Sequence, residues 1–430
     1  MNPTELEDVT HEQQPSAPLE LREFTFDLLR KSGKPWATLS LLADAERSSK
    51  TNPALVEGTC MTGQVRLDLE SGAAIHAVIV TLRGQIITGA HPSEMVPFIE
   101  LPTVLWSRSM GDPRHPGGKK WTKKLAGKYT WPFSISVPPT VSLPVVGGDE
   151  IFRLPPSFFE RHTRARIEYE ISVKFTRAKL LSDHRLNAIL DYLPISHPGP
   201  PSGLRQLAYQ QHTALLGPDS DPEGWHTLPF VKSRGRLLSS SRSVEARCRL
   251  SLATPLCYTR GTTIPCALVI ECGDLQALEP LAVPDAVVLR LRRIVRFHAR
   301  GKIMAPSNDV TLKPVWKEEV EHSEMAAWWP AADRAMVTDS SDTLVNPGQS
   351  FRRMLKGEIH LRQDLITSSS IAHFRIEYSV VLFPFDAQGY ESLDAEPLIV
   401  EAVEIASDYA DGPHPLTYSS PFATRPLARA

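Results

Sequence analysis

Between Arg164 and Arg177 the chain alternates apolar and polar side chains five times in succession. Ile167, Tyr169, Ile171, Val173 and Phe175 fall on one face, and Arg166, Glu168, Glu170, Ser172 and Lys174 on the other. A helix would scatter that apolar set around its circumference, whereas a strand lines it along one side, so the pattern predicts a half-buried β-strand. The stretch opens with Arg166-Ile167-Glu168-Tyr169, and the same tetrapeptide returns as Arg375-Ile376-Glu377-Tyr378. Alternation accompanies it there too, with Phe374, Ile376, Tyr378, Val380 and Leu382 on one face against Arg375, Glu377 and Ser379 on the other.

Further strand patterns surround both copies. GQVRLDL (63–69) alternates, IHAVIVTLR (75–83) is apolar on both faces as a central strand is, and YTWPFSISVPP follows at 129–139. From residue 244 come VEARCRLSLATP, TTIPCALVIECGD, AVVLRLRRIVRFHAR and RRMLKGEIHLRQD. The heads of the two blocks also match, EGTCMTGQVRLDLE against RGTTIPCALVIECGD. Many short strands punctuated by turn residues, in a chain of 430 residues that is too long for one core, predict an all-β protein of two tandem antiparallel sandwiches. The expected limits are a flexible arm at 1–35, a first sandwich at 36–177, a connector at 178–243 with a short helical flavour after 178, a second sandwich at 244–405 closed by its RIEY strand, and a flexible tail at 406–430.

Composition narrows the function. Lys and Arg number 47 against 49 Asp and Glu, a near balance that argues against a general nucleic-acid binder. MNPTELEDVTHEQQ has neither a basic start nor an apolar segment and predicts no secretory signal, and no apolar run has the length of a membrane span. No Asn begins an Asn-x-Ser/Thr sequon, so a secreted sandwich hydrolase is disfavoured. Five cysteines without a CxxC (Cys60, Cys248, Cys257, Cys266 and Cys272) fit reduced thiols in the cytosol, acting as small apolar side chains.

Three segments resemble the arrestin fold family, specifically the fungal arrestin-like (α-arrestin-related) proteins. Gly63–Leu69 followed by Ile75–Gly84 is similar to the family's G-x-V-x-L and V-x-V-x-L-x-G strands. Lys124–Pro138, KLAGKYTWPFSISVP, resembles its L-x-G-x-h-x-F-P-F-x-F-x-L-P segment, and Ile167–Val173 and Ile376–Val380 resemble the I-x-Y-x-V strand of each domain. The resemblance implies two immunoglobulin-like sandwiches, which makes the two RIEY segments equivalent strands. It also implies a non-catalytic cytoplasmic adaptor, peripheral at the plasma membrane or endosomes, that binds cytoplasmic tails of membrane proteins and brings a ubiquitin ligase through Pro-Pro-x-Tyr. That motif is absent: Pro155-Pro156-Ser157-Phe158 and Pro138-Pro139-Thr140-Val141 come nearest and lack the tyrosine a WW groove would hold. The alternative within the same fold is a retromer- or coat-type trafficking subunit.

Chemistry-bearing motifs are scarce. HExxH, GxSxG and CxxC do not occur, and Gly111–Lys120 fails as a phosphate loop because Lys120 stands where Ser or Thr is required. No catalytic residue, cofactor or metal site is expected. Two basic clusters suit anions. Lys119, Lys120, Lys123, Lys124 and Lys128 crowd one Pro/Gly-flanked stretch around Trp121, where they would meet phosphorylated tails or anionic lipid headgroups, or simply keep a sheet edge solvated. Arg290, Arg292, Arg296 and Arg300 form a guanidinium stripe on the face opposite Leu289, Leu291, Val295 and Phe297; cross-strand pairing with Lys317-Glu318-Glu319-Val320-Glu321 accounts for it more simply than an anion site. Ser239 follows Arg236 by three residues, the spacing that basophilic kinases use, and it and the adjacent Ser240 are candidate phosphosites.

Overall fold

The computed structural model describes residues 20–89, 94–116, 119–145, 147–177, 182–299, 315–331, 336–338 and 350–408. It is mostly β, built of curled, mainly antiparallel sheets. No helix among the described residues is long and apolar enough to cross a membrane.

Nine strands organise the first half: β1 (Leu21–Leu29), β2 (Pro35–Asp44), β3 (Ala54–Val56), β4 (Cys60–Ala73), β5 (Ile75–Ile87), β6 (Met95–Ser107), β7 (Leu125–Ser136), β8 (Arg166–Arg177) and β9 (His184–Leu193). Nine more follow in the second: β10 (Val231–Leu237), β11 (Arg242–Ala253), β12 (Cys257–Thr259), β13 (Thr263–Cys272), β14 (Leu289–Ala299), β15 (Val315–Met325), β16 (Ser350–His360), β17 (Phe374–Leu382) and β18 (Ile399–Ala406). The first set makes a four-stranded sheet, β1-β2-β4-β7, and a five-stranded sheet, β3-β9-β8-β5-β6. The second set repeats both orders: β10-β11-β13-β16 runs within an eight-stranded sheet, and β12-β18-β17-β14-β15 within a six-stranded one. Each of these nine strands of the first half thus has a counterpart nine strands later, and the two RIEY strands, β8 and β17, hold the same central position.

The local turns repeat as well. Between β3 and β4 the chain reads Glu57-Gly58-Thr59, and between β12 and β13 it reads Arg260-Gly261-Thr262. Both glycines sit at φ 80°, where a side chain is strained. Both threonines turn their hydroxyls back to the carbonyl three residues earlier, Thr59 to Val56 at 2.7 Å and Thr262 to Thr259 at 2.5 Å.

Burial follows the expected alternation. On β8, Ile167, Tyr169, Ile171, Val173 and Phe175 are all buried. On β17 the buried row is Phe374, Ile376, Tyr378, Val380 and Leu382, and Ser379 and Val381 are buried with it. Tyr129, Trp131, Phe133 and Ile135 form the inward row of β7. Because β7 is the edge of its sheet, Pro132 can sit mid-strand without removing a ladder donor.

The described residues cluster into two compact units, one drawn from Met1–Arg83, Glu100–Val137 and Tyr169–Tyr192, the other from Gly84–Ile99, Pro138–Glu168 and Leu193–Ala430. In the first, Trp106 stacks on Trp131 with centroids 6.3 Å apart, and Trp36 meets Phe175 at 5.2 Å, so rings from the four-stranded sheet contact rings from the five-stranded one. In the second, Phe158 meets Phe374 at 5.3 Å beneath the hairpin Thr140–Val145/Gly148–Arg153 and the segment after it.

Three expectations need correction. Residues 21–29 of the supposed arm are a strand, β1, paired with β2 from Leu21↔Asp44 onward and holding Phe24 in the core. The supposed connector contributes to both halves. HRLNAILDYL is β9 and not helical, because Leu186, Ala188, Leu190 and Tyr192 alternate inward against β8, and Val231–Leu237 is β10. The only part of the connector that is helical by α geometry among the described residues is Gly203–Gln211, capped by the Ser202 hydroxyl. Nor does either block end on its RIEY strand: β9 follows β8, and β18 follows β17. Residues 1–19 of the arm, residues 409–430 of the tail and Arg300 lie outside the described residues.

The repeated turns make a direct test. Gly58→Ala should lower stability by about 1 kcal/mol through its positive φ alone. Gly261→Ala should cost more, because its Cβ would also meet the Gln363 side chain at 2.8 Å. Urea unfolding midpoints of the two variants check both magnitude and order.

Candidate functional site

The structure disperses the first lysine cluster. Lys119, Lys120, Lys123 and Lys124 are exposed in the segment before β7, but Lys128 lies on β7 itself, 3.8 Å from Asp68. Lys124 leans on the turn from β4 to β5, its side-chain carbons lying 3.2–3.3 Å from where a Cβ at Gly72 would be. Lys124 therefore sits beside the end of β4, next to the start of β5.

The same strand ends frame a pocket of about 240 Å³, lined by Arg30, Trp36, Leu69, Glu70, Ser71, Ala73, Ile75, Arg177 and His184. Arg30, at the end of β1, pairs with Glu70 and donates to the Asp68 carbonyl. Arg177, at the end of β8, shares a 3.1 Å hydrogen bond with His184 Nε2. Trp36 closes one wall, edge-on to His184 at 5.2 Å. Sequence reading missed this site because its residues come from the ends of six separate strands and none stands in a motif.

The arginine stripe is largely paired inside the protein. Arg296 lies between Glu318 on β15 and Glu377 on β17, 2.9 Å from each. Arg292 donates to the Ser379 hydroxyl at 3.0 Å, and Arg290 is half-buried on the same strand. The cross-strand register explains this, since Arg296 stands opposite Glu318.

The more consequential arginine is its neighbour. Arg293 shares the inward parity of Leu291, Val295 and Phe297, and its side chain is only 12% exposed. It is held bidentately by Glu160, at 2.5 and 2.7 Å, and by Glu321 at 2.6 Å. Burial works against the guanidinium charge, but the hydrogen bond and charge of Glu160, with Tyr378 and Glu321, outweigh it and hold its pKa above the ordinary value. Around it lies a groove of about 610 Å³ that includes Glu160–Thr163, Glu319, Arg362 and Asp364. Arg362 in turn pairs with Glu324 at 2.9 Å. A charged residue at an inward position of an alternating strand was the sequence signal for this cluster.

Ser239 and Ser240 are exposed at the tip of the β10–β11 hairpin, near Arg242, which pairs with Asp274. Pro155-Pro156-Ser157-Phe158 is core: both prolines are buried and Phe158 is 1% exposed, bridged to Ile167. Cys248, Cys266 and Cys272 are buried, and burial pushes the Cys248 thiol up to about 12 and Cys257 to about 11, so both are protonated at neutral pH. Among the described residues no group of three His, Cys, Asp or Glu side chains is arranged to hold a metal ion. Neither a protein-family model nor a curated protein matches this chain.

Arg293 and His298 yield tests. Arg293→Met strands two carboxylates; since Glu160 and Glu321 keep some solvent, the loss should be about 2 kcal/mol, below the range for a fully buried pair. Denaturant unfolding reads it, and E160Q should restore part of the loss. His298 Nδ1 lies 2.8 Å from His373 Nδ1, and burial, with the charges of His373 and Arg375, pushes its imidazole down to about 4. The unfolded chain takes up that proton near 6.5, so stability should fall as pH drops from about 6.5 to about 4. Thermal unfolding across that window should show a shallower slope in H298N.

Proposed function

We propose that the chain is a non-enzymatic adaptor of arrestin-like plan, two tandem immunoglobulin-like β-sandwiches that bind the cytoplasmic parts of membrane proteins in endocytosis, protein transport or signalling. On this reading it works in the cytoplasm, at the face of the plasma membrane or endosomes. The observation that carries the reading is the duplicated sheet order, four strands and five strands in the same sequence of pairings, with β8 and β17 in the equivalent place. The three segments that resemble the family fall on β4 with β5, on β7, and on β8 and β17. Fold alone does not define an activity, so the adaptor role rests on the family resemblance and on the surfaces available. Those surfaces are the exposed lysines beside β7 and the charged groove around Arg293. Any link to a ubiquitin ligase does not run through Pro155–Phe158, whose burial closes it to a WW groove.

Purification of the tagged chain from its native cells in mild detergent, followed by mass spectrometry, should recover transporters or receptors. Recovery of a ubiquitin ligase with them would mean contact by a route other than Pro-Pro-x-Tyr. A fixed set of soluble coat subunits without membrane cargo would replace the adaptor reading with the trafficking-subunit one.

A further inference from the structure

We propose that the pocket at the shared ends of β1, β2, β4, β5, β8 and β9 binds a phosphate monoester carried on a compact polar head group, as at the surface of an anionic membrane. The proposal is independent of the adaptor reading, since it concerns one small-molecule site within the first compact unit.

Arg177 makes no ion pair among the described residues. Its guanidinium has five N–H donors, and its side-chain partner among the described residues is an imidazole nitrogen and not a carboxylate, His184 Nε2 at 3.1 Å. It is half-buried, so part of its charge has been removed from water without a counter-charge. Arg30 enters the same pocket and is held by a carboxylate, but that carboxylate, Glu70, is 67% exposed and free to swing away. Glu70 occupies Arg30 as an incoming anion would. Two guanidiniums converging on a cavity of about 240 Å³ suit an oxyanion with several acceptor oxygens, because each fork can engage two of them. The neighbouring acids are engaged elsewhere: Asp183 accepts from Lys174 at 3.1 Å and from the Arg177 amide, and Asp68 faces Lys128.

The surroundings favour a head group at a surface over an extended phosphopeptide. The pocket lies where turns meet and not along a strand edge. Lys31 and Lys34 stand exposed on the β1–β2 turn, and Lys123 and Lys124 on the segment that lies against the β4–β5 turn. Exposed lysines from two separate turns at one end of the unit form a rim that a planar anionic surface can meet all at once. The indole of Trp36 supplies one flat wall for the ring that carries the phosphate.

The test uses the full chain in vesicle flotation and calorimetry. The probes are phosphatidylcholine vesicles containing a phosphatidylinositol monophosphate, vesicles of equal charge containing phosphatidylserine, and the soluble inositol phosphate head group. The phosphoinositide vesicles should bind more tightly than the phosphatidylserine vesicles, with competition by the soluble head group. R177Q should weaken binding about tenfold, roughly the worth of one charge-assisted contact. E70Q should tighten it several-fold, a gain that misfolding cannot produce. Binding of the soluble head group with the same variant pattern, but no vesicle binding, would support the pocket and assign it a free phosphate ester. Equal binding of both vesicle types with no response to R177Q or E70Q would overturn the proposal and leave only the lysine rim. Displacement by a phosphopeptide but not by the head group would overturn it in favour of a peptide site.

Discussion

Everything in this protein is hung on two rows of inward side chains, Ile167 to Phe175 on β8 and Phe374 to Leu382 on β17. Each row lies in the middle of a five-strand order, so each inward residue is covered from both neighbouring strands as well as from the facing side chains. Burying a side chain of that size is worth about 1.5–3 kcal/mol, so each row of five is a substantial apolar contribution. A one-residue slip would turn the whole row to water, so the rows set the register of β9 against β8 and of β14 and β18 against β17.

That arrangement leaves polar function to the strand ends and to exceptions within the rows. Arg293 is such an exception, a charge at an inward position that is accommodated only because Glu160 and Glu321 meet it there. The phosphate pocket follows the other route. Its arginines stand just past the end of β1 and at the last residue of β8, where the alternation has ended and side chains from different strands converge without displacing core. Lys124, in the exposed segment before β7, leans on the end of β4 that lines this pocket.

The strand pattern was legible wherever alternation was long. β8, β17, β4 and β7 stand where the periodicity placed them, and the matching heads of the two blocks are the same glycine-threonine turn. β9 was missed because Leu186, Ala188, Leu190 and Tyr192 are mixed with Ile189 and Leu193, a composition that also suits a helix until β8 supplies its partner. β1 was missed because its alternation, Phe24, Phe26 and Leu28 against Thr25 and Asp27, is short and follows a polar start, and only Phe24 is well buried at this sheet edge. The arginine stripe was read with the correct strand and the simpler of its two explanations, yet the inward Arg293 was overlooked because alternation was counted only through its apolar members.

By itself the sequence determined the secondary-structure class and the duplication, because period-two burial and the repeated Arg-Ile-Glu-Tyr and Gly-Thr signals are local and survive without knowledge of contacts. Tertiary structure alone decided which charges remain available. Arg296 and Arg177 look alike in the chain, but cross-strand pairing gives the first two carboxylates and leaves the second with an imidazole. Charge availability depends on residues from separate strands and loops, as far apart in the chain as Arg293 and Glu160, arriving within about 3 Å, a distance that hydrogen bonding demands and linear spacing does not encode.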